Sequence, residues 1–342
     1  MAGDRPARVG ASAGRVRWPI VEALPNLSVA RGAGRRIGML TVASLMEEPW
    51  WVGEPDVAGA LVVFPLFGGG APGAYVTFTR AAELGAEARE LPEGPSVNDI
   101  VIDNPTGSAV LLLDGEEVQG AQQDRVFDGS VLVPARSRVR TPVCCVERGR
   151  WDGASRYERF RSAEQVAHPE LRSAMARVRD GGTGRSDQDV VWAHVTSRIE
   201  STGTVSSTAA IADVYANRRV VLDDATMRAP RRQGQRGVLA FIAGRFAALD
   251  WLSNEEAYDE VHSRLIRGYA LDASEAGGDG PATTRREAQG LLEDVMSLAL
   301  DPVPTPGAGR RLRAATTRAT QALHVSALDM DGRLAHISAL AA

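Results

Sequence analysis

Between Asp114 and Trp151 the chain reads as a succession of strands, yet it carries more polar variety than a sheet surface needs. Glu116, Glu117, Gln119, Gln122, Gln123, Asp124 and Arg125 crowd into one short segment, and Cys144, Cys145, Glu147, Arg150 and Trp151 close the block. Side chains of a strand alternate between two faces. An extended run from Glu117 to Phe127 would therefore set Glu117, Gln119, Ala121, Gln123, Arg125 and Phe127 on one side. Glu116, Val118, Gly120, Gln122, Asp124 and Val126 would take the other. The first face then holds a carboxylate, two carboxamides and a guanidinium, a donor and acceptor set suited to gripping a polar, anionic small molecule.

The remaining chain supplies a sheet for this block to sit in. Strands are expected at 37–42, 60–66, 75–78, 130–134 and 139–146, with a hairpin of 99–103 and 109–113 about the Asn104-Pro105-Thr106-Gly107 turn. Thr79 is placed to cap a short helix ending at Gly85. After Trp151 the spacing becomes helical: 157–179 with a break at His168-Pro169, 188–200, and 211–227. A hairpin turned at Ala243-Gly244 follows. Ser253 with Glu256 then reads as a capping box opening a helix to about Gly268. A helix over 284–300 and three strands from 312 to 340 complete the pattern.

These elements predict an α+β fold: a mostly antiparallel sheet core, an inserted helical segment, and C-terminal strands that return to the sheet. Residues 1–17, small, charged and aperiodic, are expected to be a disordered tail. Residues 18–342 are expected to form one domain, with a β-rich core over 18–151, a helical insertion over 152–235, and completion of the core by 236–342. A glycine run at Gly68–Gly70 lacks the lysine and helix of a phosphate loop and is read as a turn.

Composition excludes several classes. All 39 basic residues are arginine and the formal charge is −4, which fits coding bias better than a nucleic-acid surface, so no nucleic-acid partner is expected. No apolar segment argues for a membrane partner or a secretory leader, and the cytoplasm is the expected compartment. Cys144 and Cys145 are the only cysteines, and neighbours in sequence are poorly placed for a relaxed disulfide. The histidines at 168, 194, 262, 324 and 336 show no metal-ligand spacing, so no metal ligand is assigned, and neither a cofactor nor an oligomeric state can be read.

Glu116 and Glu117 are adjacent and point opposite ways in a strand, so Glu147 is the better acid or base partner for Glu117. The catalytic candidates are Glu117 and Glu147, with Arg125 holding a negative group. Gln119, Gln123 and Asp124 can read hydroxyls or base edges, Glu116 adds a further acceptor, and Arg150 with Trp151 can clamp a phosphate and stack on a ring. Each has a plainer reading as an ion-pair or strand-edge contact that stiffens the sheet. Cys145, in an apolar strand without a nearby histidine, reads as a small buried hydrophobe rather than a nucleophile. Arg267, Tyr269 and Asp272 form a second polar cluster.

Two runs carry a family resemblance. Gly115-Glu116-Glu117 to Gly120-Ala121, Gln123 and Arg125, followed by Pro142-Val143, Cys145, Glu147 and Gly149-Arg150-Trp151, resemble the ADP-ribosylglycohydrolase and rhodanese-phosphatase-associated protein domain, a bacterial family. The stretches near Gly237 and Arg264 are similar to it as well. The resemblance implies a metabolic role in NAD or ADP-ribose turnover and does not name a reaction. Two functions follow as expectations. One is a hydrolase acting on an ADP-ribose or phosphoribosyl-type compound; the other is a non-catalytic ligand-binding or scaffold module.

Overall fold

Apolar runs bounded by turn residues become strands here, and the partner each finds decides which face it buries. The computed structural model describes residues 20–21, 40–70, 75–150, 159–181, 184–277, 282–316 and 322–342. The expected tail over 1–17 lies outside the described residues. The chain is α+β with three mostly antiparallel sheets among the described residues.

The largest sheet runs in the order Asp301–Val303, Arg310–Thr316, Leu323–Met330, Arg333–Ala341, Arg245–Leu252, Gln235–Ile242, Leu61–Phe67 and Trp51–Val52, with Asp56–Ala58 also paired to Leu61–Phe67. The C-terminal strand returns to the sheet because its apolar residues meet apolar partners: Leu249 stands opposite Ala339 and Trp251 opposite Ile337. One face packs Trp50, Phe64, Leu66, Trp251 and Ile337 against Leu292 and Val295 of the helix Arg285–Met296. The other face contributes Val63, Val238 and Ala248 to a core shared with the helices Pro169–Gly181 and Glu255–Glu275.

The second sheet has the order Arg161–Val166, Glu116–Gln119, Arg125–Phe127, Ser137–Cys145, Asp99–Asn104 and Glu87–Arg89, with Ile20–Val21 parallel to Ser137–Cys145. The third joins Val131–Val133, Ala109–Leu112 and Tyr75–Thr77. Phe127, Val139, Ile100, Val110 and Val131 fill the layer between the two.

Several expectations are corrected by tertiary pairing. Asp99–Asn104 and Ala109–Leu112 are strands but not a hairpin, since they belong to different sheets. Asn104 holds the crossing, donating from Nδ2 to the carbonyls of Ser108 and Pro134 while Oδ1 accepts from Thr106. The described part of 37–42 is no strand; Thr41 makes one bridge to Ala299, and Ala43–Leu45 forms a 3₁₀ turn. Thr77, not Thr79, caps the helix Phe78–Glu83, accepting from the Arg80 N–H. Residues 161–166, read as helical, form a strand because the edge of Glu116–Gln119 offers them backbone partners. The 211–227 pattern is two helices, Ile211–Asn217 and Arg219–Arg228.

Asn254 rather than Ser253 caps the helix Glu255–Glu275, which does not end at Gly268. Ser253 is occupied instead by the Tyr75 hydroxyl at 3.1 Å. A Cβ on Gly268 would stand 2.5 Å from the Val166 carbonyl oxygen, so the glycine marks where helix meets strand rather than where the helix stops. The expected helices at 188–200 and 284–300 and the hairpin at Ala243-Gly244 appear as Gln188–Ser201, Arg285–Met296 and the pair Gln235–Ile242 and Arg245–Leu252.

Candidate functional site

The motif block is a hairpin, not one strand. Gly120 and Ala121 take positive φ of 130° and 47°, turning the chain so that Glu116–Gln119 pairs with Arg125–Phe127. Glu117 stands opposite Val126, which stands opposite Cys144; Val118 stands opposite Arg125, opposite Cys145. Residues directly opposite share a face. Arg125 therefore lies on the other side of the sheet from Glu117, which corrects the single face expected for them.

Glu117 is fully buried at the join of three strands. Gln119 donates from Nε2 to its Oε1 at 2.8 Å, and Gln165, on the neighbouring strand, donates to its Oε2 at 2.8 Å. Burial and the nearby Asp124 charge push the carboxyl up to about 8, against the two amide hydrogen bonds and Arg264, which pull it down. Glu117 thus holds its proton at neutral pH. Glu116 faces the helix Glu255–Glu275, where Arg264 Nη1 donates to its Oε1 at 2.8 Å and its Oε2 accepts from the Leu113 N–H. Arg264 Nε and Nη2 are buried without a hydrogen-bond partner among the described residues.

Glu147 sits just past the Ser137–Cys145 strand, bridged to Ala210 at the start of the helix Ile211–Asn217. Arg150 donates Nε to its Oε1 at 2.9 Å and Nη2 to its Oε2 at 2.6 Å. The Asp124 N–H adds a third bond at 3.0 Å. Burial disfavours its charge, but these donors, with the Thr208 side chain, outweigh it and hold the carboxyl below its usual range. Arg150 also donates Nη2 to Asp124 Oδ1 and Nη1 to the Ala121 carbonyl, tying Glu147 to the hairpin turn. Asp124 therefore links the two catalytic candidates, acting on Glu117 through its charge and on Glu147 through its backbone.

The opposite face gathers Gln123, Arg125 and Cys145. The Cys145 thiol donates to Gln123 Oε1 at 2.8 Å, and Arg125 reaches Gln123 Oε1 and the Ser96 carbonyl. Burial pushes the Cys145 thiol up to about 12, opposed by Arg125, as fits a buried hydrophobe. Trp151 lies outside the described residues.

The structure joins Asp124, Glu147 and Arg150 in one hydrogen-bonded group, holds Glu117 with Gln119 and Gln165, bonds Glu116 to Arg264, and sets Arg125 and Cys145 on the face opposite Glu117. Sequence reasoning missed Gln165 and Arg264. Gln165 lay in a segment read as helix, and only the strand pairing reveals its contact; Arg264 stood in a helix already noted as family-like. The Arg267, Tyr269 and Asp272 cluster disperses, to Asp223, Asp250 and Arg198 respectively, and docks the helix.

Among the described residues no three His, Cys, Asp or Glu side chains are grouped to hold a metal ion, and no helix is long and apolar enough to cross a membrane. No curated protein and no solved structure matches the chain. The ARG and Rhodanese-Phosphatase-superfamily-associated Protein domain matches residues 50–340, which include the hairpin, the Glu147–Arg150 pair, and the helix and strands that enclose them. The chain belongs to that family.

Proposed function

We propose that this protein hydrolyses a ribosyl or phosphoribosyl small molecule of NAD or ADP-ribose metabolism, with Glu117 as proton donor and Glu147 as ionised carboxylate. One observation carries the reading: two carboxyls joined through Asp124 are pushed in opposite directions, Glu117 up to about 8 and Glu147 below its usual range. A pair of carboxyls split in this way has the two protonation states that acid and base catalysis require. Glu117 would give its proton to the leaving group as the bond to the sugar breaks, while Glu147 takes a proton from the attacking water. Gln119 and Gln165 would hold the Glu117 carboxyl in place throughout. The family's description, which links it to ARG and rhodanese-phosphatase proteins, agrees with a metabolic role. Reading ARG as ADP-ribosylglycohydrolase supplies the ADP-ribose part of the proposal.

A second reading has its own support. Glu147, Arg150 and Asp124 satisfy one another, and Glu117 has no exposed surface, as in a network that shapes a binding module. Chromatographic assay of NAD, ADP-ribose and an ADP-ribosylated peptide, with calorimetry on the same samples, separates the two. Turnover that Glu117→Gln lowers about a hundredfold supports hydrolysis. Binding without turnover supports the module, and neither sinks both.

A further inference from the structure

A cavity of about 750 Å³, not lined by Glu117, lies between the helix Pro169–Gly181, the strands Asp99–Asn104 and Ser137–Cys145, and the start of the C-terminal strands. Its wall carries five arginines, at 140, 179, 185, 311 and 313, against two aspartates, Asp99 and Asp180. The number matters less than who is paired.

Asp99 is taken by Arg140 at 3.1 Å and by Arg185. Arg179 is taken by Asp128 at 2.9 Å and Asp114 at 3.3 Å, both behind the wall. Asp180 faces Arg313 at 3.8 Å and His324 at 3.4 Å. Arg311 is only 7% exposed, yet its side chain makes no hydrogen bond and no ion pair among the described residues. Its neighbour is another cation. A Cβ on Gly129 would stand 2.8 Å from Arg311 Nη1 and 3.7 Å from Arg179 Nη1, so both guanidinium groups approach the same point beside Gly129. Burial and the Arg179 charge work against the charged form of Arg311 and outweigh the charges of Asp128, Asp114 and Asp180, which favour it. The Thr305 hydroxyl, from the proline-rich segment that closes the wall, is also buried without a partner among the described residues.

An unpaired buried arginine is unfavourable by itself, and two adjacent ones repel. A doubly charged oxyanion reverses both effects, because the planar guanidinium fork matches phosphate oxygens two at a time. We propose that this cavity binds the phosphate or diphosphate group of a small metabolite, with the anion seated between Arg311 and Arg179. The volume admits a ligand of nucleotide size, and the paired Asp99, Arg140 and Arg185 form the rim. The site draws on none of the residues assigned to hydrolysis and stands whether or not that reading holds.

The test is calorimetric titration of the whole chain with inorganic pyrophosphate at constant ionic strength, with sodium chloride as the control. Wild type is expected to bind saturably, Arg311→Leu to bind at least about tenfold more weakly, and Arg311→Lys to fall between. Arg311→Leu removes a buried charge with no side-chain partner among the described residues, so circular dichroism and melting should show a folded chain. Should it misfold, Ser326→Phe, which fills the cavity from another strand, is expected to abolish binding instead. Glu117→Gln is expected to bind pyrophosphate as wild type does, which keeps this outcome separate from the fate of the hydrolysis proposal. Absence of saturable binding by wild type up to about 10 mM, or equal affinity in a folded Arg311→Leu, overturns the site.

Discussion

Gln165 donates a hydrogen bond from Nε2 to Oε2 of Glu117 across 2.8 Å, joining residues 48 positions apart in the chain. With Gln119 on the other oxygen, Glu117 receives two neutral donors and no directly paired cation among the described residues. Neutral amides stabilise a carboxylate less than an arginine does, so burial wins and the proton stays on. Arg264, whose charge also acts on Glu117, bonds Glu116 instead. The two adjacent glutamates are thus differentiated by their donors, neutral amides for Glu117 and an arginine for Glu116.

The raised carboxyl makes stability depend on pH in a definite sense. The folded chain holds the Glu117 proton to about 8, whereas the unfolded chain releases it near 4.5. The contribution is therefore full below 4.5 and is lost as pH rises toward 8, with a slope approaching about 1.4 kcal/mol per pH unit. Glu117→Gln has no proton to lose. Urea midpoints of wild type and variant across that window should converge at acid pH and separate at alkaline pH, with the variant the more stable. Parallel curves would show that Glu117 ionises alike in both states.

Arg172 and Asp250 form a buried bidentate pair at 2.7 and 2.8 Å, with the Tyr269 hydroxyl on the same carboxylate. Arg172→Leu leaves that carboxylate buried without its cation, and a loss of about 3–5 kcal/mol is expected in chemical denaturation. Asp250→Asn retains hydrogen-bonding capacity and should lose less. Equal stability of Arg172→Leu and wild type would mean water reaches the site.

Gly268 is the contact between the long helix and the Arg161–Val166 strand. Alanine is a better helix former by up to about 1 kcal/mol, but here its methyl meets a backbone oxygen, and a net loss of about 1–3 kcal/mol is expected. A guanidinium chloride midpoint above that of wild type would show that the helix can shift away without penalty.

Arg150 couples the hairpin turn to Glu147. Single substitutions Arg150→Met and Glu147→Gln, with the double variant, should show a coupling energy above about 1 kcal/mol in thermal melts. Additive effects would instead mark the pair as incidental.

Local signals in the sequence carried much of the architecture. The Ala243-Gly244 hairpin, the Gln188–Ser201 helix and the returning C-terminal strands are set by turn residues and by apolar periods over short range. What escaped was decided by partners far along the chain. Arg161–Val166 has a spacing that suits a helix, yet it pairs with Glu116–Gln119 because that edge would otherwise leave backbone groups unsatisfied. The same holds at the site. Glu117, Glu147, Asp124 and Arg150 were recognisable as an unusual polar set, but the turn at Gly120-Ala121 reverses the face of Arg125, and no period of two can foresee that. Arg311 carried no signal in the sequence, since its want of a side-chain partner among the described residues is a property of packing.

The most direct measurement is a pH titration of the Glu117 side-chain carboxyl by ¹³C NMR, with Glu117→Gln to assign the signal and Glu147 followed in the same spectra. A Glu117 midpoint near 8, with Glu147 ionised well below its usual range, is the expected result. A Glu117 midpoint in the ordinary carboxylate range, or two glutamates that titrate together, would contradict the division of roles on which the proposed chemistry rests.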